Sequence, residues 1–250
     1  MDRDLTEFLA DWQYDADDQY RVIKARDGRR VLQVRQPLGI EQYEMDGRPD
    51  GLRPFGKESV LTEILDRLDA WDGAGEGGFL IDHDDFLRLQ NEGILYYYRY
   101  LILFQMGDFE RTISDTGHNL QICDLVERYV EEADDQNEIL QYRPYMIRMN
   151  AMAGAMLKLG AENPGAARET LQQAIDGIGA LEEVDTPTYH YERLRSLQYL
   201  RTALKQIKVP AQTVLDRLNS ALDEAVEQEA YERAAELRDR IHALQQQRRT

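Results

Sequence analysis

Apolar residues change their spacing along this chain, and each change marks a different kind of element. Up to about Gly56 they cluster and alternate as strands do. Tyr20-Arg-Val-Ile-Lys-Ala25 is rich in β-branched and aromatic residues, Val31-Leu-Gln-Val34 repeats the pattern, and Ile40-Glu-Gln-Tyr-Glu-Met45 alternates in period two. Between the first two runs lies Asp27-Gly28, a turn pair whose glycine takes positive φ at little cost. Asp46-Gly47 and Pro49-Asp50-Gly51 are further turn signals. The pattern predicts an antiparallel meander of two or three strands. So small a sheet needs a helix to cover it. The candidates are Leu5 to Trp12 and Val60 to Trp71, where Leu61, Ile64, Leu65 and Leu68 form a stripe at helical spacing.

From Asp82 to Lys208 the spacing is helical throughout. Asp82-His-Asp-Asp85, just before Phe86, places an N-cap and first-turn acids where a helix dipole favours them. Tyr96, Tyr97, Tyr98 and Tyr100, with Leu101, Leu103 and Phe104, cover most of a helix. They predict core between neighbouring helices, or a groove for a partner peptide. Gly107-Asp-Phe-Glu-Arg-Thr112 and Asn163-Pro-Gly-Ala-Ala-Arg168 each sit between helical runs, and the small residues Ala167 and Ala174 permit close approach. Each reads as the turn and second helix of a tetratricopeptide-type hairpin. They lie 56 residues apart, against a usual repeat of about 34, so helices or connections must be longer. Stacked hairpins of this kind bury their apolar faces on one another.

The last stretch carries two apolar series. Leu215, Leu218, Leu222 and Val226 form the first; Tyr231, Ala234, Leu237, Ile241 and Leu244 form the second. The slip between Val226 and Tyr231 predicts two helices folded antiparallel, with Ala234 and Ala235 allowing close backbone approach. Glu232, Arg238 and Asp239 stand at spacings that allow charge pairing. One long helix with a heptad seam fits the periodicity equally well. The predicted organisation is a β-meander with its covering helix over 1–71, a linker over 72–81, tetratricopeptide-like helices over 82–208 and a helical hairpin over 209–250. The expected fold is mainly α.

Charge narrows the function. The formal net charge is -17, which repels phosphate backbones, so direct nucleic-acid binding is not expected. The nearest basic groups, Lys24, Arg26, Arg29 and Arg30 around a turn, and Arg248 with Arg249, read as solvated surface. Cys123 is the sole cysteine and lies in a helical stretch, where a thiol acts as a small buried hydrophobe. The first residues show no signal pattern, and the longest apolar run, Ile94 to Met106, contains Arg99 and Gln105 and is too short for a bilayer. No membrane association and a cytoplasmic location are expected.

Catalytic chemistry is hard to place. Asp72-Gly-Ala-Gly-Glu-Gly-Gly78 resembles a phosphate loop only in its glycines; no Lys-Ser/Thr follows, and a helix precedes it. His118, His190 and His242 are isolated from one another and read as surface or hydrogen-bonded core positions. Asp46, Arg48 and Asp50 are conceivable catalytic groups, but turn chemistry explains their surroundings. No enzyme activity, cofactor, metal or catalytic residue is expected.

A resemblance separates the two readings of the C-terminal stretch. Leu222-x-x-Ala225-Val226, then Tyr231-Glu232-x-Ala234-Ala235-x-Leu237-Arg238-Asp239-x-Ile241-x-x-Leu244, resembles the UVR motif of UvrB and UvrC. Ala230 stands where that family often has leucine or a capping polar residue. UVR motifs also occur in ClpC-type chaperones and McsA-type adaptors, where a helical hairpin docks onto proteins, often onto another UVR hairpin. The resemblance implies an interaction surface made of Leu218, Leu222, Val226, Tyr231, Glu232, Ala234, Ala235, Leu237, Arg238, Asp239, Ile241 and Leu244. It implies a UVR-bearing partner or self-association. Leu38-Gly39, Gln42, Glu44, the Asp46–Gly51 segment, Gly107-Asp-Phe, Asp115-Thr116 and Asn119-Leu120 are similar to UvrB/UvrC-motif-containing proteins of planctomycete-type bacteria. The expected function is a non-enzymatic adaptor. The alternative is an accessory factor of the UvrABC excision system that contacts DNA, UvrB or UvrC.

Overall fold

A computed structural model describes residues 5–71, 78–208, 218, 221–223, 225–226 and 230–247. The linker glycines up to 77, Val209, Pro210, Leu215, Arg248 and Arg249 lie outside the described residues. The chain forms two compact units, Met1–Gln206 and Ile207–Thr250.

The first unit opens with a short helix, α1 (Thr6–Asp11), and then the meander, β1 (Tyr20–Lys24), β2 (Arg30–Gln36) and β3 (Gly39–Glu44). The strands are antiparallel in the order β1-β2-β3, with Val22 opposite Leu32 and Leu32 opposite Tyr43. The β1–β2 loop turns at Gly28, whose φ is +91°. Between β2 and β3 only Pro37 and Leu38 intervene, since Gln36 pairs with Gly39.

The helices that follow are α2 (Val60–Ala70), α3 (His83–Gln105), α4 (Phe109–Tyr129), α5 (Ala133–Leu140), α6 (Arg143–Gly160), α7 (Pro164–Ala180) and α8 (Pro187–Gln206). α4 packs on α3 and α6, α6 on α7 and α8, and α7 on α8. Small residues permit this: Ala151, Ala153 and Ala155 of α6 and Ala167 and Ala174 of α7 are all buried. The main core joins Val60, Leu61 and Ile64 to Phe86, Leu89, Ile122 and Val126.

The cover over the sheet differs from expectation. Leu32, Val34 and Met45 cluster with Ile102 and Leu103 near the end of α3. No residue of α1 is fully buried, and Phe8, with Leu5 just before the helix, is exposed. α2 is committed to the helical core instead. Its buried Val60, Leu61 and Ile64, with Leu65 and Leu68 half-buried beside them, meet α3 and α4 residues, which offer a larger apolar surface than a three-stranded sheet.

Two helix-to-helix turns are built alike. At the end of α3, Gly107 N–H donates to Phe104 O at 3.1 Å and Asp108 N–H to Leu103 O at 2.9 Å. Asp108 then caps α4 by accepting from Arg111 N. At the end of α6, Glu162 N–H donates to Leu159 O at 3.0 Å and Asn163 N–H to Lys158 O at 2.9 Å, and Asn163 caps α7 through Ala166 N. Both are Schellman closures running straight into an Asx cap. The two turns differ in one respect. Gly107 holds a φ of +79°, whereas Glu162 holds +55° with a side chain attached. Glu162→Gly is therefore expected to raise stability by about 0.5–1 kcal/mol, read as a higher denaturant midpoint with an unchanged slope. A lower midpoint would mean that Glu162 makes a compensating contact.

Candidate functional site

The second unit holds most of the residues that sequence reasoning singled out. Described residues between 218 and 226 are helical, and a final helix, α9, spans Tyr231–Gln247. Ala230 belongs to neither. Its N–H donates to Ala225 O at 2.8 Å, and its carbonyl accepts from Ala234 N at 3.0 Å, so α9 starts there. One continuous helix would need an unbroken i to i−4 ladder, so the single-helix reading is excluded. Alanine supplies no side-chain acceptor at this cap position.

Burial sorts the series. Ala234 and Ile241 are buried and Leu237 is half-buried, three and four residues apart on one face of α9. Leu218 and Leu222 are half-buried, and Ala225 is buried. Two expected seam residues lie elsewhere: Val226 is 52% exposed and Tyr231 is 69% exposed. Helical rotation of about 100° per residue accounts for both. Ala225 follows Leu222 around the inward face while Val226 turns past it. Tyr231 lines up with the exposed Arg238, two turns on, rather than with Ala234 and Ile241. Periodicity favoured the larger side chain, whereas the close-packed position took the smaller. Glu232, Ala235, Arg238 and Asp239 are exposed. The side chains of Leu244 and His242 lie outside the described residues.

The unit thus presents a narrow inward stripe of small and branched residues and an outward face of charge, with Val226 and Tyr231 as apolar points on that outer face. This arrangement suits protein contact, since exposed aromatic and aliphatic residues beside charge are what interfaces use.

In the first unit the conspicuous polar groups are engaged with one another. Asp82 caps α3 by accepting from Asp85 N at 2.8 Å, and Asp85 is paired with Arg67 and Arg88. His83 Nδ1 lies 2.7 Å from Asp135, which with its hydrogen bond raises the imidazole pKa. His118 stacks on Tyr96 at 3.7 Å and reaches Glu92 at 3.1 Å. His190 lies 3.8 Å from Glu183 and 4.0 Å from Asp185. Burial pushes the Cys123 thiol up to about 12, which leaves it an inert core group.

The turn residues Asp46, Arg48 and Asp50 are likewise occupied. Asp46 pairs with Arg111 at 3.2 Å, Arg48 with Asp50 at 3.0 Å and with Glu92 at 3.2 Å, and Asp50 accepts from Leu52 N at 3.0 Å. Among the described residues no group of three or more His, Cys, Asp or Glu side chains is placed to hold a metal ion. Among the same residues, no helix is long and apolar enough to cross a membrane.

The tyrosines of α3 divide between the two predicted roles. Tyr96 and Tyr100 are buried and Tyr97 and Tyr98 are exposed; Tyr97, Tyr98 and Tyr100 line a cleft of about 700 Å³. Its other walls come from α4, α5, α6 and α8, through Asn119, Glu138, Tyr142, Tyr145 and Glu192. Helical spacing found the α3 wall alone. The rest comes from residues far along the chain that only the packing of the helices brings together.

Residues 212–247 match the UvrB/uvrC motif. No curated protein and no solved structure matches the chain. The motif covers the second unit and leaves the helical body outside it.

Proposed function

We propose that this protein is a non-enzymatic adaptor: a tetratricopeptide-like helical body carrying a UVR hairpin that captures a UVR-bearing protein or a second copy of the chain. The observation that carries this reading is the motif match over 212–247, in a segment that forms its own compact unit. The engagement of Asp46, Arg48 and Asp50 in ion pairs supports the non-enzymatic part, because their carboxylates and guanidinium already have structural work. A cytoplasmic setting agrees with a single buried thiol. The net charge of -17 favours a protein partner over DNA, whose affinity would fall steeply with salt.

The test uses the full chain and the variant Ile241→Asp, which places a charge at a buried position of α9. Wild-type protein is expected to self-associate or to retain a purified UVR-bearing protein on a column. The variant is expected to lose that retention while the main thermal transition of the body stays where it was. ATP turnover should stay at the buffer blank for both, with or without single-stranded DNA. Retention that survives the substitution places the docking surface elsewhere. Turnover that follows the protein through size exclusion would end the non-enzymatic reading, and salt-sensitive retention on DNA would favour the excision-system alternative.

A further inference from the structure

Five side-chain polar atoms among the described residues are buried without a hydrogen-bond partner, and three of them belong to residues that line the tyrosine cleft: Tyr100 Oη, Asn119 Oδ1 and Glu192 Oε2. Buried polar atoms are ordinarily paired, so three at one cavity of about 700 Å³ mark a place where hydrogen bonds are held ready. The orientation of Asn119 is fixed, because its Nδ2 donates to Gly93 O at 2.9 Å and leaves the amide oxygen as a free acceptor. Glu192 Oε1 is 3.5 Å from Arg195 Nη1, while its second oxygen has no donor. Tyr97, Tyr100 and Tyr145 stand at the same cleft with ring centroids 5.5 to 6.5 Å apart, an aromatic wall rather than a closed cage. Arg148 already lies over Tyr145 at 4.8 Å and Tyr100 is buried, so Tyr97 is the ring of the three that is exposed to an incoming group.

Two free acceptors, one of them a carboxylate oxygen, next to aromatic faces describe the complement of a planar cation with several N–H donors. A guanidinium meets all three requirements. It donates in a fork to carboxylate and amide oxygens, stacks on tyrosine, and sheds water more readily than an ammonium. Arg195 already uses one carboxylate oxygen, so the incoming group takes the other. Glu138 adds a further carboxylate at the cleft, and the net charge of -17 draws cations toward the body.

We propose that this cleft is a docking site for an arginine side chain on a partner polypeptide, separate from the UVR hairpin and independent of what that hairpin captures. The test titrates the full chain into a short fluorescein-labelled peptide with one central arginine flanked by glycine and serine. A second peptide carries citrulline in its place, which keeps the shape but not the charge, and free arginine serves as competitor. Saturable binding of the arginine peptide is expected, about tenfold weaker for citrulline and for Glu192→Gln, since each removes a charge-assisted bond. Gly93→Ala provides a second variant. Its new methyl would sit 3.6 Å from Asn119 Oδ1, in ordinary contact, so the fold tolerates it while the acceptor is covered. It too should weaken binding, with the circular-dichroism melt at or above wild type. No saturable binding, equal affinity for citrulline, or indifference to both variants would overturn the proposal. Free arginine matching the peptide in affinity would also overturn it, because the cleft would then take a small molecule and not a partner chain.

Discussion

Replacing Glu92 with alanine is expected to cost about 3–5 kcal/mol of folding stability, because it removes one partner from a buried charged network and strands the others. Glu92 projects from α3 and its side chain has no exposure to solvent. Its carboxylate accepts from Val60 N at 2.8 Å and Leu61 N at 3.0 Å, the first two amides of α2. The next amide, Thr62 N, is taken by Ser59 Oγ at 2.9 Å. The start of α2 is therefore capped from two sides, with a full negative charge at the positive end of the helix dipole. Arg48 and His118 complete the shell at 3.2 and 3.1 Å. In the alanine variant two buried amides lose their acceptor, and a largely buried guanidinium loses its counter-charge.

The same network predicts a pH response. Burial opposes the Glu92 charge, but the hydrogen bonds from His118, Leu61 N and Val60 N outweigh it and hold the carboxyl below its ordinary value of 4.5. A carboxyl with a lowered folded pKa contributes stability that is complete above the unfolded value and is lost as pH falls through the folded one. Stability should therefore fall with acid from about the ordinary glutamate range downward. Glu92→Gln should flatten that part of the curve. Urea denaturation at neutral pH and at successively lower pH checks both. A loss under about 1 kcal/mol for Glu92→Ala would show that water replaces the carboxylate at little cost.

How legible this was in the sequence varies with the length scale of the signal. Asp82 was readable as a cap because a cap and its amide lie within three residues; Asp108 and Asn163 carry the same local signal, but the sequence pattern marks them only as parts of turns between helices. The meander was readable because alternation and turn glycines are equally local. The position of Glu92 was not, since its partners lie in the Asp46–Gly51 turn, at the start of α2 and in α4. Nothing in the pattern distinguishes a buried glutamate on an amphipathic helix from a solvated one. The covering helix was misplaced for a related reason: the α2 stripe announces a buried face but not what buries it. In the hairpin, sequence periodicity chose Val226 where packing uses Ala225. Hydrophobicity ranks residues by size, whereas closely approaching backbones select small ones.

Arg99 and Asp115 supply the second large effect, and one that separates two accounts of a buried ion pair. Arg99 Nε donates to Asp115 Oδ2 at 2.8 Å and its Nη2 to Oδ1 at 2.6 Å, a bidentate pair. Both side chains are nearly inaccessible, at 3% and 4% exposure. The remaining terminal nitrogen donates to Glu44 O at 2.7 Å, at the end of β3, and the guanidinium lies 5.0 Å from the Tyr96 ring centre. One side chain of α3 thus fixes α4 and the last strand of the sheet together. Asp115→Ala leaves the guanidinium buried with no counter-charge and should cost about 3–5 kcal/mol. The double variant R99M/D115L removes both charges and keeps apolar volume. It should recover most of that loss, because the pair's attraction largely offsets the desolvation of its two members. What it should not recover is the anchoring of Glu44 O. Amide exchange at the ends of β2 and β3 is then expected to speed up in the double variant even where global stability is restored. If the double variant is as unstable as Asp115→Ala, the pair contributes net stability of its own and the anchoring account fails. If it is restored with the strand ends still protected, the Glu44 contact contributes nothing to holding the sheet, and the apolar cluster with Ile102 and Leu103 is sufficient.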